Sequence, residues 1–184
     1  VLISVDTYRA NIAEQAVNAG ANIVNDISGG TLDSQMFQTV AKLKVPYVLM
    51  HIQGNPQTMQ QNPVYRDVVK EVHLFFEEKL KKLGDLGIKQ VILDPGFGFG
   101  KTVEHNLTLL ENLEKFKSFQ SPILVGISRK SFVNKILNIN SIETINATSI
   151  LNEKAVKNGA KMLRVHDVKE AVEVVKVCVH LKET

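Results

Sequence analysis

The sequence predicts an α/β fold of parallel strands, arranged as a TIM (β/α)8 barrel of which six βα units are present. Short β-branched runs alternate with longer amphipathic segments, which is the pattern of repeated βα units. Each unit spans about 30 residues, a length that suits the connections of a barrel or of an open sheet. Polar or charged side chains that could bind a ligand lie at the end of every predicted strand. In an open sheet they would be expected mainly at the one point where the strand order reverses, so this distribution favours the barrel.

The strands and helices follow one another in simple alternation. Six strands are predicted from the β-branched runs, at residues 1–6, 21–27, 47–51, 90–94, 123–128 and 161–166. The clearest helix is predicted over residues 62–83, where Val68, Val72 and Phe76 recur at helical spacing beside Glu and Lys. A final helix is predicted over residues 167–181, opened by an acidic pair at the spacing of a capping box.

The composition is that of one folded domain over residues 1–184. The chain is 44% hydrophobic and carries 22 Lys+Arg against 19 Asp+Glu, a formal net charge of +3. Because the basic residues are scattered, nucleic acid is not expected as the main partner. The longest apolar stretches fall far short of the roughly 20 residues of a membrane span, so no membrane partner is expected. Cys178 is the single cysteine and cannot form an intrachain disulfide, and a reducing cytoplasm is therefore the expected location.

The chain begins inside its first predicted strand. An eight-unit barrel usually needs about 250 residues, whereas six units are found here. We therefore expect the natural polypeptide to begin before Val1, with these six units at its C-terminal end and the first two βα units missing.

A glycine-rich loop follows the fourth predicted strand, at residues 94–102. It is not a Walker A loop, because Pro95 stands where that motif needs glycine, and it is not a dinucleotide fingerprint, because Lys101 stands where the third glycine is needed. One interpretation is a flexible connection between strand and helix. The other is a binding loop whose glycines let the backbone approach a flat ligand, while Phe97 or Phe99 stacks on it and Asp94 accepts its N–H groups.

Three further strand ends carry candidate chemistry. Lys130 is either a Schiff-base nucleophile, a donor to ligand oxygen and ring nitrogen, or a solvated cation. Arg164 and His166 alternate along the last strand, so both point the same way and predict an anion clamp. An alternative, compatible with the clamp, is that Asp167 caps the last helix and pairs with His166. His51 is equally open to a structural role and to a functional one.

Six linked motifs occur in the order and spacing seen in one enzyme family. They lie at residues 4–8, 25–30, 49–51, 94–101, 126–131 and 164–167, the last three being the glycine-phenylalanine loop, Ser-Arg-Lys and Arg-Val-His-Asp. Over its whole length the chain resembles the dihydropteroate synthase family of pterin-binding TIM barrels. The resemblance implies a transferase of folate biosynthesis that joins 6-hydroxymethyl-7,8-dihydropterin pyrophosphate to para-aminobenzoate, giving 7,8-dihydropteroate and pyrophosphate.

The resemblance also implies roles for particular residues. The pterin would be bound by Asp6, Asn25, Ile27, Met50, Asp94, Phe99, Gly126 and Lys130. The pyrophosphate would be held by Arg164 and His166, the aminobenzoate would lie near Ser131 and Phe99, and the catalytic residues would be Lys130, Arg164 and His166. A magnesium ion and a homodimer are implied as well. The family's magnesium ligand lies upstream of these motifs, so no metal ligand is assigned in this segment.

One departure and three alternatives accompany the resemblance. Many relatives have Glu-Arg where this chain has Glu143-Thr144, which removes any ion pair of that arginine without touching the pocket. The alternatives are a pterin-binding methyltransferase domain that acts on methyltetrahydrofolate, a Schiff-base aldolase using Lys130, and an inactive truncated fragment that only binds pterin.

Overall fold

A computed structural model describes residues 1–55 and 57–183, without the side chains of residues 141, 182 and 183. Within these ranges six strands alternate with seven α-helices. The strands are β1 (Ser4–Asp6), β2 (Ile23–Asp26), β3 (Tyr47–Met50), β4 (Val91–Asp94), β5 (Leu124–Val125) and β6 (Met162–Leu163). The helices are α1 (Ala10–Asn18), α2 (Met36–Leu43), α3 (Val68–Asp85), α4 (Val103–Glu111), α5 (Ser131–Leu137), α6 (Ile145–Lys157) and α7 (Val168–Glu183). Short 3-10 helices cover Leu113–Phe119 and Ser141–Glu143.

All the strand pairings are parallel and follow the order of the chain. β1, β2, β3 and β4 form one sheet, and β5 and β6 form a second. A parallel bridge between Leu93 and Ile123 joins the end of the first sheet to the start of the second. This sequential arrangement, in which each strand lies beside the next one along the chain, is that of a (β/α) barrel, and the predicted fold class is confirmed.

The last two strands are shorter than predicted. The ladder between them ends with the bond from the Arg164 amide to the Val125 carbonyl, 2.9 Å long. Beyond that point the two segments are held by side chains, since the Ser128 hydroxyl lies 3.2 Å from the His166 amide. The functional side chains predicted at these strand ends therefore lie on the loops that follow the strands.

The predicted helix over residues 62–83 begins later than expected, at Val68. Asn62 precedes a proline, which disfavours the helical conformation, and it adopts a left-handed φ of 55°. Asp67 then caps the helix, because its carboxylate accepts hydrogen bonds from the amides of Val69 and Lys70. Helical spacing alone places the start too early, since Tyr65 packs against the core from an irregular segment.

The core lies between the strands and the helices that cover them. Its largest fully buried side chains include Tyr47 and Leu93 on the strands and Phe76 on α3. Parallel strands covered in this way need apolar residues, and β3 is buried at all four positions. None of the helices in the described ranges is both long and apolar enough to cross a membrane.

Candidate functional site

The largest concave feature is a cavity of about 700 Å³ beyond the carboxyl ends of the strands. This is the face on which (β/α) barrels carry their sites. Nine residues predicted for the site line it, namely Asp6, Ile27, Met50, Asp94, Phe99, Gly126, Lys130, Arg164 and His166. Phe97, the alternative to Phe99 as the stacking residue, lines it too, and so do six residues without a predicted role, which are Thr7, Tyr8, Arg9, Ile12, Ser128 and Val165.

Two predicted site residues lie off the wall of this cavity. Asn25 lines an adjoining cavity of about 510 Å³, which shares Asp6 and Arg164 with the first. Its amide nitrogen donates to Asp6 at 2.8 Å, while its buried Oδ1 meets no hydrogen-bond partner among the described residues. Ser131 is exposed at the start of α5 and does not line the main cavity.

Asp94 ends β4 and presents a buried carboxylate to the cavity. Its Oδ1 accepts a 2.8 Å hydrogen bond from the Gly96 amide. Burial raises the pKa of Asp94 to about 6, although the Gly96 bond and the charges of Lys130 and Lys101 oppose the rise. A buried carboxyl group with free acceptor capacity is suited to a ligand that carries paired N–H donors.

Lys130 packs against the glycine loop. Its ammonium lies 4.0 Å from the centroid of the Phe99 ring, a cation–π distance. Gly98 allows this approach, because a Cβ there would lie 3.1 Å from the Lys130 Cδ. Burial lowers the pKa of Lys130, and the charge of Asp94 opposes that effect. The lysine is therefore packed beside the cavity, and the interpretation of a freely solvated cation is wrong.

The glycine loop is fixed against the end of β3. At Gly96, with a φ of 72°, a Cβ would lie 1.9 Å from the His51 carbonyl oxygen, so no other side chain fits without a backbone shift. The buried ammonium of Lys101 lies 3.0 Å from His51 Nδ1 and from the carbonyls of Gly96 and Phe99. The structure thus gives His51 a structural role.

Sequence reasoning missed Lys101. A lysine after three alternating glycines looks like a solvated loop residue, and the only useful signal was its place before Thr102. The Thr102 side chain caps α4, in a capping box with His105. The residue that precedes a helix cap lies where the loop returns to the strands, and a long side chain there can extend into the interior.

Asp26 is a second missed residue, with a structural role. It is fully buried and its carboxylate accepts bonds from the Ser28 amide and hydroxyl, the Gly30 amide and the Tyr47 hydroxyl, all within 2.8 Å. Burial, with the charge of Asp26, raises the pKa of Tyr47 well above its usual range, so the phenol stays a donor. This network fixes the turn that presents Ile27 to the cavity.

The last two loops bring the cationic residues together. Arg164 forms a 2.5 Å ion pair with Asp6, both side chains being about half exposed. His166 Nδ1 lies 3.1 Å from the Ser128 hydroxyl. Asp167 does not pair with His166, as one interpretation of the sequence held, but with Arg129, through bonds of 2.6 and 3.3 Å. The chain bends at His166, after β6 has ended, and Asp167 there meets the guanidinium of Arg129.

The charges of the site are divided by depth. Asp94 is buried, whereas Arg9 and Arg164, which line the same cavity, are exposed. A ligand with N–H donors at one end and negative charge at the other complements this arrangement.

The carboxylates of the described residues are not clustered. No group of three His, Cys, Asp or Glu side chains in the described ranges could hold a metal ion. The carboxylate of Asp6, the most exposed acid of the cavity, already accepts from Asn25 and Arg164. We therefore derive no chemical step through a metal bound by this chain.

Comparisons with known proteins point to one family. The family model described as "Pterin binding enzyme" matches residues 1–166. A dihydropteroate synthase from Synechocystis is 45% identical over 178 residues, which cover 95% of this chain and 62% of that protein. This chain therefore spans less than two thirds of the length of that relative.

Two solved structures share the fold. The Yersinia pestis dihydropteroate synthase, solved as a sulfonamide drug complex, superposes with a TM-score of 0.96 at 36% identity, covering 100% of this chain and 67% of that one. The Xanthomonas albilineans dihydropteroate synthase, solved in complex with 7,8-dihydropteroate, gives a TM-score of 0.93 at 33% identity and covers 70% of that chain.

Proposed function

Since the chain belongs to the family of pterin-binding enzymes, we propose that its protein condenses 6-hydroxymethyl-7,8-dihydropterin pyrophosphate with para-aminobenzoate to give 7,8-dihydropteroate and pyrophosphate. The observation that carries the proposal is the buried carboxylate of Asp94 facing a cavity with a basic outer side. The similarity to a dihydropteroate synthase solved with 7,8-dihydropteroate supports the same reaction.

The pterin ring is proposed to bind with its amino-pyrimidine edge on Asp94. That edge offers adjacent N–H donors, which a carboxylate accepts in parallel. The unpartnered Oδ1 of Asn25 is a further acceptor at the end of β2, and the ammonium of Lys130 supplies a donor to the ring carbonyl and a ring nitrogen. Ile27 and Met50 give the ring apolar contact.

The pyrophosphate is proposed to lie on Arg164 and His166. In the reaction the aminobenzoate nitrogen attacks the methylene carbon of the pterin, the C–O bond to pyrophosphate breaks, and the nitrogen loses a proton. Negative charge builds on the leaving pyrophosphate, and fixed hydrogen-bond donors stabilise that charge in the transition state. Arg164 uses one guanidinium nitrogen on Asp6, so its other N–H groups are available to the pyrophosphate.

The aminobenzoate is proposed to lie beside Phe99, whose ring lines the cavity. Ser131, the other residue assigned to this substrate, is exposed and outside the cavity wall. Phe99 is thus the contact that the ring of the second substrate can reach without movement of α5.

The test of the proposal separates the two ends of the first substrate. In Asp94→Ala, affinity for the pterin should fall strongly whether or not it carries pyrophosphate, because each lost charged hydrogen bond costs about 1.5 to 3 kcal/mol. In Arg164→Ala, affinity for the pyrophosphate-bearing substrate and for free pyrophosphate should fall, while affinity for a pterin without pyrophosphate should hardly change.

Calorimetry with the three ligands measures these affinities, and dihydropteroate formation is assayed with magnesium present. Near-native pterin affinity in Asp94→Ala would overturn the assignment of that residue. Equal weakening of both pterins in Arg164→Ala would show a structural role for the arginine. Tight binding of methyltetrahydrofolate by the unaltered protein would point to a methyltransferase instead.

Assembly and location are also part of the proposal. Val172, Val175 and Val179 share one face of α7 and are each more than a third exposed, which suits a homodimer contact. Light scattering on the unaltered protein and on Val175→Lys tests this, and a monomer in both cases would contradict it. The cytoplasmic location is proposed from the single cysteine.

A further inference from the structure

We propose that Lys101 is a positioning residue, whose buried ammonium fastens the glycine loop to the end of β3 and so holds Asp94 and Phe99 in place for the pterin. This inference rests on the proposed function, because it assigns a task to a residue that touches neither substrate. It goes beyond that function, because neither the resemblance nor the proposed reaction gives Lys101 a role.

The ammonium of Lys101 has a donor set that its surroundings fill completely. An ammonium donates three hydrogen bonds and accepts none. Three acceptors lie 3.0 Å from the Lys101 Nζ, namely His51 Nδ1 and the carbonyl oxygens of Gly96 and Phe99. The His51 carbonyl lies at 3.5 Å. Because an ammonium only donates, the Nδ1 of His51 accepts in this pair, and burial together with the Lys101 charge lowers the pKa of His51, which keeps its imidazole neutral. Burial also lowers the pKa of Lys101 to about 7, and the charge of Asp94 opposes that effect.

The surroundings of Lys101 are unusual for a buried charge. The residue is 4% exposed, and none of the ion pairs found among the described residues includes it, although the charge of buried Asp94 acts on it without direct contact. Lysine is almost never fully buried without a partner of opposite charge. Burying an ammonium among carbonyls and an imidazole costs desolvation energy. The geometry points to a role for this ammonium in ordering the glycine loop.

Two contacts connect Lys101 to the ligand-facing groups. The carbonyl of Gly96 accepts from Lys101 while the amide of the same residue donates to Asp94 Oδ1 at 2.8 Å. The carbonyl of Phe99 accepts from Lys101 while its ring lies 4.0 Å from the Lys130 ammonium. One buried group therefore sets the position of both a hydrogen-bonding residue and a stacking residue of the pterin site.

The lysine also sets the distance between the loop and β3. Gly96 packs so closely on the His51 carbonyl that a Cβ there would lie 1.9 Å away. The ammonium lies within reach of a carbonyl oxygen on each segment, 3.0 Å from that of Gly96 and 3.5 Å from that of His51, and carbonyl oxygens repel one another. A shared cation removes that repulsion, whereas a neutral side chain of the same length would only fill the space.

The experiment compares Lys101→Met, which keeps most of the stem and removes the charge, with Lys115→Met at an exposed position as the matched control. Both variants are made in a chain extended to the full length of its relatives, where pterin affinity is measured by calorimetry and KM and kcat by dihydropteroate formation. We expect Lys101→Met to bind pterin about 10- to 100-fold more weakly, because Asp94 and Phe99 would be displaced from their binding positions. KM should rise by a larger factor than kcat falls. Lys115→Met should behave like the unaltered protein.

Chemical rescue separates the ammonium's task from simple packing. In Lys101→Ala, added ethylammonium should restore much of the lost pterin affinity, and the same concentration of ethanol should not. Rescue by both compounds, or by neither, would overturn the proposal, as would native pterin affinity in Lys101→Met. If the unaltered protein fails to bind pterin at all, the proposed function fails and not this inference alone.

A measurement on the unaltered protein applies even if the variants do not fold. The ammonium protons of Lys101, observed by ¹⁵N-detected NMR, should exchange with water far more slowly than those of Lys115, because three acceptors hold them. Equal exchange rates at the two lysines would overturn the proposal independently of any variant.

Discussion

At the scale of single residues, the site depends on carboxyl groups in unlike surroundings. Asp94 is buried and has a pKa of about 6, whereas Asp26 is buried among four donors that satisfy its charge. The donors make the difference, because a carboxylate with several hydrogen bonds is stabilised without a ligand. Asp94 has the Gly96 amide as its hydrogen-bonded donor, and the proposed pterin edge would supply the others.

The pKa of Asp94 predicts opposite effects of pH on ligand binding and on folding. The carboxylate form accepts the pterin donors, so affinity should rise with pH through about 6 and be roughly tenfold weaker at pH 5 than at pH 7. Folding has the other sign. The folded pKa lies above the unfolded value of 3.8, so this group's contribution to stability is present below that value and is lost as pH rises through about 6.

Calorimetric titration between about pH 4.5 and 7.5, with urea unfolding at the same pH values, measures both effects. Asp94→Asn is the control, since it keeps the shape and removes the titration. A pterin affinity that changes with pH equally in the variant and in the unaltered protein would assign the pH dependence to another group.

At the scale of elements, local signals at helix ends decide where the chain turns. Asp67 caps α3 through bonds of 3.1 and 3.0 Å to the amides of Val69 and Lys70. The helix carries Val72 and Phe76 into the core, so its start influences how the chain from β3 returns to the barrel. Asp67 is exposed, so its contribution to stability comes from these hydrogen bonds and not from burial.

Removal of this cap should cost measurable stability. We expect Asp67→Ala to lower the free energy of unfolding by about 1 kcal/mol, the usual effect of losing an aspartate cap. Asp85→Ala at the other end of α3 removes an exposed ion pair with Lys81 and should cost about 0 to 0.5 kcal/mol. Urea unfolding of the three proteins measures the difference, and equal losses in the two variants would contradict the role of Asp67.

The strand order and most of the cavity wall could be predicted from the sequence, because both depend on local patterns. Asp94 and Lys130 follow apolar runs, and parallel strands bring such positions to one face. The burial of Lys101 and the exposure of Ser131 could not be predicted, because they depend on how each loop turns after its strand. The pairing of Asp6 with Arg164 depends on the curvature of two sheets, which no local pattern records.

At the scale of the whole molecule, the chain presents one side of a barrel without hydrogen-bonded neighbours. In the described ranges β1 pairs only with β2, and β6 pairs only with β5. Leu2 and Ile3, just before β1, are more than half exposed. Edge strands of this kind favour association with other chains.

We predict that these 184 residues alone aggregate readily, bind pterin weakly and do not form dihydropteroate. A chain extended to the full length of its relatives should be active, because further loops would complete the surroundings of the pyrophosphate and the aminobenzoate. Expression of both, with light scattering and the dihydropteroate assay, measures this. Comparable activity in the shorter chain would show that the additional length is dispensable.

The ion pair between Asp6 and Arg164 has a consequence for the order of folding. Its partners lie 158 positions apart, whereas each strand pairing joins neighbouring βα units. Closing so long a loop is entropically costly, and contacts of large sequence separation form late. We expect the units to assemble successively along the chain, with the surroundings of Asp6 and Arg164 the last part of the molecule to acquire their shape during synthesis.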